Sequence, residues 1–237
     1  MNPKVLFIGS IGVVAETSEL QRQAYNHALK ESGLDWEWSL ETYKELLQSN
    51  GGKDRLKTLA NATKQVLSED LIQKIHTRKT EIACNLIVDH KVKPRPGVVQ
   101  KIEEAKSAGV KVAWVTSTYE ANTNAILQAS GGALQVESFD RIFHRHEVST
   151  GKPSPEIYQL AMEYFDVLPT DCIAFEDSLT SILAAKGAGI FTMASLGAFH
   201  SEHVENIADM FSRSLDAITW QEITAAYENH SKLRRAA

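Results

Sequence analysis

The residues best suited to chemistry each follow an apolar run. Thr116 and Ser117 come after VAWV (112–115), Lys152 after the weaker run RIF (141–143), and Glu176 and Asp177 after CIAF (172–175). A glycine-bounded stretch, Gly9 to Gly12, follows VLFIG (5–9) in the same way. A hydroxyl and an ammonium can hold a phosphate by hydrogen bond and by charge. Two adjacent carboxylates offer the hard oxygens that Mg²⁺ prefers. Plainer readings stand beside these. Lys152 could flank a helix at the surface, and Thr116 could satisfy a backbone group. Glu176 and Asp177 could stabilise a helix N-terminus, where negative charge is favoured, and still bind a metal.

Such residues need a scaffold that gathers them. VLFIG, VAWV, RIF and CIAF read as short buried strands. Between them run helical patterns. One is opened by Ser18 with Gln21 three residues on, as in a capping box, and ends at Gly33. Another, with Val99, Ile102 and Ala105 inward, follows RPG (95–97) and ends near Gly109. A third has Ser154 as its cap, Pro155 in its first position and an apolar stripe of Ile157, Leu160, Ala161, Tyr164 and Phe165. A fourth spans Ser178 to Gly187. Strand alternating with helix implies an α/β fold with a doubly wound parallel sheet. Ligands in such sheets sit at the carboxyl ends of the strands, where the residues above fall. The stretch from about 35 to 90 differs: it is mainly helical, with Trp36 and Trp38 as aromatic anchors and one glycine interruption, NGGKDR (50–55). It reads as an inserted helical subdomain. The expected division is an α/β core of residues 1–17 and 92–237 with a helical cap of residues 18–91.

Bulk properties narrow the function. The chain has 237 residues, 43% hydrophobic and 23% charged, an ordinary globular mixture. A net charge of −5 gives no electrostatic footprint for nucleic acid. Cys84 and Cys172 sit in apolar surroundings and read as reduced thiols of a cytoplasmic protein. The apolar run behind Lys4 (residues 5–15) has the look of a leader peptide, but it is too short to span a bilayer and Glu16 follows at once, so a strand and glycine turn is preferred and no membrane partner is expected. His144, His146, His200 and His203 bring no further ligand with them, which argues against a zinc site.

VTST (115–118), GKPSPEIY (151–158) and EDSLTSILAAKGAG (176–189) resemble, in order and spacing, the second, third and fourth motifs of the haloacid dehalogenase superfamily, in its helical-cap branch. DWEW (35–38) and NGGKDR resemble CbbY-type phosphatases, which act on xylulose bisphosphate and have β-phosphoglucomutases as cousins. The likeness covers nearly the whole chain. It implies a phosphorylated sugar or other small phosphate as ligand, with Thr116, Ser117 and Lys152 on the phosphate. It places Glu16, Thr17, Gly52, Lys53 and Arg55 on the substrate or in the cap, and Glu176 and Asp177 on Mg²⁺.

The first motif departs from the family. Where relatives carry aspartate, any residue, aspartate and glycine, this chain has Gly9, Ser10, Ile11 and Gly12; a cap-helix histidine of the relatives is Gln21 here. The family reaction passes through an aspartyl-phosphate. Gly9 offers no nucleophile and Ile11 no transferable proton. Loss of acid/base help alone costs about 10²–10⁴ in rate. Ser10 is no substitute, because adjacent residues on a strand face opposite ways. With so few carboxylates left, Mg²⁺ binding is expected to be weak and to depend on the ligand. Three readings remain: a catalytically impaired sugar-phosphate-binding or regulatory protein; an active hydrolase in which Glu176 or Glu16 directs a water; and a protein-interaction module whose pocket its own side chains fill, with Ile11 as the candidate.

Overall fold

A computed structural model describes residues 2–9, 11–47, 51–195, 197 and 204–236. The strands are β1 (Val5–Ile8), β2 (Lys111–Val115), β3 (Arg141–Phe143), β4 (Cys172–Glu176), β5 (Phe191–Ser195) and β6 (Met210–Ser212). They form one parallel sheet in the order β3-β2-β1-β4-β5-β6. The connections run outward in both directions from β1, so the sheet's switch point lies at the carboxyl end of β1, and a ligand crevice belongs there.

VLFI is apolar throughout because both faces of β1 are covered. Alternation sorts its side chains. Leu6 and Ile8 join Trp114, Ile173 and Phe175 on one face, while Val5 and Phe7 join Val115, Tyr158 and Ala174 on the other. The first face is closed by α6 (Val98–Ser107), α7 (Glu120–Ala129) and α10 (Trp220–Ala236), and the second by α8 (Glu156–Phe165) and α9 (Leu179–Gly187).

Between β1 and α6 in sequence lie four helices of more than one turn: α2 (Ser18–Glu31), α3 (Leu40–Leu46), α4 (Gly52–Ala62) and α5 (Glu69–Asp89). They have a core of their own, built on Tyr25, Leu29, Trp38, Tyr43, Leu56, Ile72 and Ile75. Trp38 stacks on Tyr25 with centroids 4.2 Å apart, worth about 0.5–1.5 kcal/mol beyond the area buried. Serine caps start two of these helices. Ser39 accepts from Thr42 N at 3.1 Å and Ser68 from Leu71 N at 3.2 Å.

Several local expectations need correction. After Gly9 the chain forms a single helical turn, α1 (Ile11–Val14), where a flexible glycine turn was expected. The capping box of Ser18 and Gln21 does not form. Thr17 is the N-cap and makes no side-chain cap bond; Glu16 Oε1 accepts from Ser18 N at 3.0 Å, and Gln21 turns elsewhere. Pro155 precedes the first residue of α8 rather than occupying it. The pattern ended at Gly187, short of β5, β6 and α10.

Candidate functional site

The strand ends bring Gly9, Lys152, Glu176 and Tyr158 together. Gly9 N donates to Phe175 O at 2.8 Å, which fixes the end of β1 beside the end of β4. Glu176 closes β4 and is completely buried. Its Oε1 accepts from Lys152 Nζ and from the Tyr158 hydroxyl. Lys152 Nζ also donates to Val115 O at 3.1 Å, at the end of β2. Burial, and then the charge of Glu176, push the Tyr158 phenol well above its ordinary range, so it keeps its proton and donates.

A side chain at Gly9 has no room in this arrangement. A Cβ there would fall within 3 Å of all three atoms of the Glu176 carboxyl group. At Gly12, a Cβ would fall within 3 Å of the Asp177 carboxyl carbon and Oδ2. The two carboxylates therefore lie against the glycine-bounded turn that follows β1. Ile11 packs instead against the apolar cluster on the first face; the side chain filling the space is Glu176, not Ile11. Ser10 lies outside the described residues.

Thr116 is buried at the end of β2, where its N donates to Phe143 O at 3.0 Å and its Oγ1 accepts from Thr118 N at 3.2 Å. Ser117 is exposed. Arg95 braces the first turn. One of its guanidinium nitrogens donates to Gly12 O at 2.7 Å and to Ser195 O at 3.2 Å.

The helical insertion gathers a second group. Lys79, on the inner face of α5, donates to Gln21 Oε1 at 2.8 Å and lies 4.9 Å from the Tyr25 ring centre. Burial, then the charge of Arg55, lower the Lys79 ammonium to about 7. His76 is held to about 4 by burial, then by the charges of Lys79, Lys53 and Arg55. Gly52 closes against this group: its carbonyl accepts from the Tyr25 hydroxyl at 3.0 Å, and a Cβ would collide with that hydroxyl and with the His76 ring. Arg55 donates to Leu46 O at 3.2 Å and stands 5.9 Å over the Tyr43 ring. Thr17 is buried at the start of α2. Gln21 Nε2 reaches Asn122 Oδ1 on α7 at 3.5 Å, which joins the insertion to the α/β layer.

Lys79, His76, Tyr158, Arg95 and Asn122 were missed by the sequence reading. For Lys79 a signal existed: it interrupts the buried stripe Ile72, Ile75, Ala83 and Ile87 of an amphipathic helix, and lysine is almost never buried there without a reason. His144 and His146 stack at 5.7 Å beside β3, in a cavity of about 420 Å³ that holds none of the strand-end residues. His200 and His203 lie outside the described residues. No group of three or more His, Cys, Asp or Glu able to hold a metal ion occurs among the described residues. No helix among them is long and apolar enough to cross a membrane.

The haloacid dehalogenase-like hydrolase family matches residues 5–189 of the chain. Protein CbbY of Cereibacter sphaeroides is 40% identical over 194 residues, covering 82% of this chain and 84% of that protein. A phosphorylated carbohydrates phosphatase of Thermotoga maritima is 30% identical over 181 residues, 76% of this chain and 78% of that one. Crystal structures of CbbY from Rhodobacter sphaeroides, one with phosphate and one of a mutant with xylulose-(1,5)bisphosphate, superpose with TM-scores of 0.83 and 0.84 at 36% identity, each covering 90% of this chain and 95% of the other.

Proposed function

Because the chain belongs to the haloacid dehalogenase-like hydrolase family, with relatives named CbbY and phosphatase, we propose that it binds a phosphorylated sugar but has lost normal phosphatase turnover. The observation that carries this reading is the end of β1. Gly9 presents no side chain, and the Glu176 carboxylate, tied to Lys152 and Tyr158, fills the space a nucleophile would use. Ile11, half-buried against apolar neighbours, supplies no acid for the leaving group. The ligand class is taken from CbbY, which has been crystallised with phosphate and with xylulose-(1,5)bisphosphate. Lys152 and Thr116 sit at the strand ends for one phosphate, with exposed Ser117 beside them. Lys53 and Arg55 supply positive charge for the other end of such a ligand, with Lys79, lowered to about 7, and His76, neutral with its value held to about 4, as hydrogen-bonding neighbours.

Hydrolases of this family generally use Mg²⁺. The residues here fit it poorly. Glu176 and Asp177 are the two carboxylates at the turn, and an oxygen of Glu176 already accepts from Lys152 and Tyr158. An octahedral cation offered so few protein oxygens keeps most of its waters. Any Mg²⁺ is therefore held weakly and with the help of the ligand's own oxygens.

The alternative of direct attack by a water on Glu16 or Glu176 meets the same obstacle, since Glu16 accepts from Ser18 N at the start of α2 and Glu176 is buried in its ion pair. Free Cys84 and Cys172 suit a reducing, cytoplasmic compartment. The test is a rescue: phosphate release from xylulose bisphosphate in Mg²⁺, measured for the chain as it stands and for Gly9→Asp with Ile11→Asp. Release is expected only from the double variant. Steady release from the unaltered chain, persisting through purification and lost in Lys152→Ala, would refute the reading.

A further inference from the structure

The turn after β1 lacks a side chain, and a neighbouring strand has supplied one in its place. The register Ile8↔Phe175 sets Glu176 beside Gly9, and the Glu176 carboxyl group lies where a Gly9 side chain would begin. A carboxylate this deeply buried is tolerable only when paired and hydrogen-bonded. Lys152 and Tyr158 provide that pairing, and Lys152, itself buried, is neutralised in return. The ammonium proposed to hold the ligand's phosphate is therefore already engaged by an anion from the same chain.

We infer that Glu176 is a tethered competitor: it occupies Lys152 in the free protein, must swing away for a phosphate to enter, and so sets the site's anion affinity. The inference rests on the phosphate-binding reading above. The swing is feasible because the part that must move is the far end of a flexible side chain, while the β4 backbone stays in its ladder with β1 and β5. A phosphate that takes over Lys152 repays the lost pairing, as an empty cavity would not.

Two substitutions remove the competitor by different routes. Glu176→Gln takes away its charge. Gly9→Ala keeps the charge and evicts the carboxylate by volume; Gly9 is not among the glycines with positive φ, so its backbone accepts alanine. Titration calorimetry of the full chain with inorganic phosphate is expected to show both variants binding about ten- to a hundredfold more tightly than the unaltered protein, the range spanned by a hydrogen bond to a charged group. Adding Lys152→Met to either variant should abolish the gain. A merely structural Glu176 would lower the melting temperature in Glu176→Gln with no gain in affinity, and would give Gly9→Ala none either. If Glu176→Gln fails to fold, Gly9→Ala decides alone. Unchanged or weaker phosphate binding in the folded variants, with xylulose bisphosphate still bound by the unaltered chain, overturns the competition but leaves the ligand reading standing. Absence of binding of either phosphate by every folded form overturns both.

Discussion

Lys79→Met should make the protein more stable and a poorer binder. Lys79 is buried, and its ammonium falls from an ordinary 10.5 to about 7. At 1.36 kcal/mol for each tenfold in proton affinity, that fall is worth about 5 kcal/mol. The sign follows from linkage. Between about 7 and 10.5 the unfolded chain holds the proton and the folded chain does not, so stability rises with pH across that window. Lys79 costs the fold nothing above 10.5, and the full penalty has accrued once the pH has fallen through about 7. Methionine fills a similar space without a charge. Against the gain stands the hydrogen bond to Gln21 Oε1, whose loss costs about 1–3 kcal/mol. The net expectation is about 2–4 kcal/mol of added stability at pH 7 and below, shrinking steadily as the pH rises towards 10. Urea denaturation of both proteins at pH 6, 7.5 and 9.5 measures it. Calorimetry on the same samples should show sugar bisphosphate binding weakened about tenfold, the scale of one charge-assisted hydrogen bond. A Lys79→Met protein less stable than its parent at pH 7, or a difference that does not change between pH 6 and 9.5, would refute the reasoning.

Lys152→Met leaves Glu176 buried without its cation, and should lower unfolding free energy by about 3–5 kcal/mol in a denaturant titration near neutral pH. Gly97→Ala should cost at least about 1–3 kcal/mol, read as a fall in melting temperature: Gly97 has φ +80°, and a Cβ there would fall within 3 Å of the backbone at Leu215 and Asp216, which cannot step aside as a side-chain end can.

The sheet was legible where strands are buried on both faces. VLFI, VAWV and CIAF are continuous apolar runs, and each run's following residue marked the edge at which Gly9, Thr116 and Glu176 stand. The outer strands were harder to read. β6 is three residues long with Phe211 half-exposed, so neither length nor periodicity marks it. Gln21 was misread because serine three residues before glutamine also describes a capping box, and only its contact with Lys79, from 58 residues away, shows otherwise. The position of Glu176 in the space beside Gly9 was not legible at all. It depends on the register of two strands whose sequence separation carries no local pattern.

That register has a consequence for biosynthesis. β1 emerges from the ribosome first, yet its partners in the sheet are residues 111–114 on one side and 172–175 on the other. At about 5–20 residues per second, a four-residue hydrophobic strand waits roughly ten to thirty seconds before its second neighbour has been made. The helices of residues 18–89 have a core of their own and can condense during that wait. A nascent chain stalled before residue 172 should thus present a formed helical bundle and a VLFI segment with one edge still unpaired, which is the kind of edge that chaperones bind and aggregates grow from.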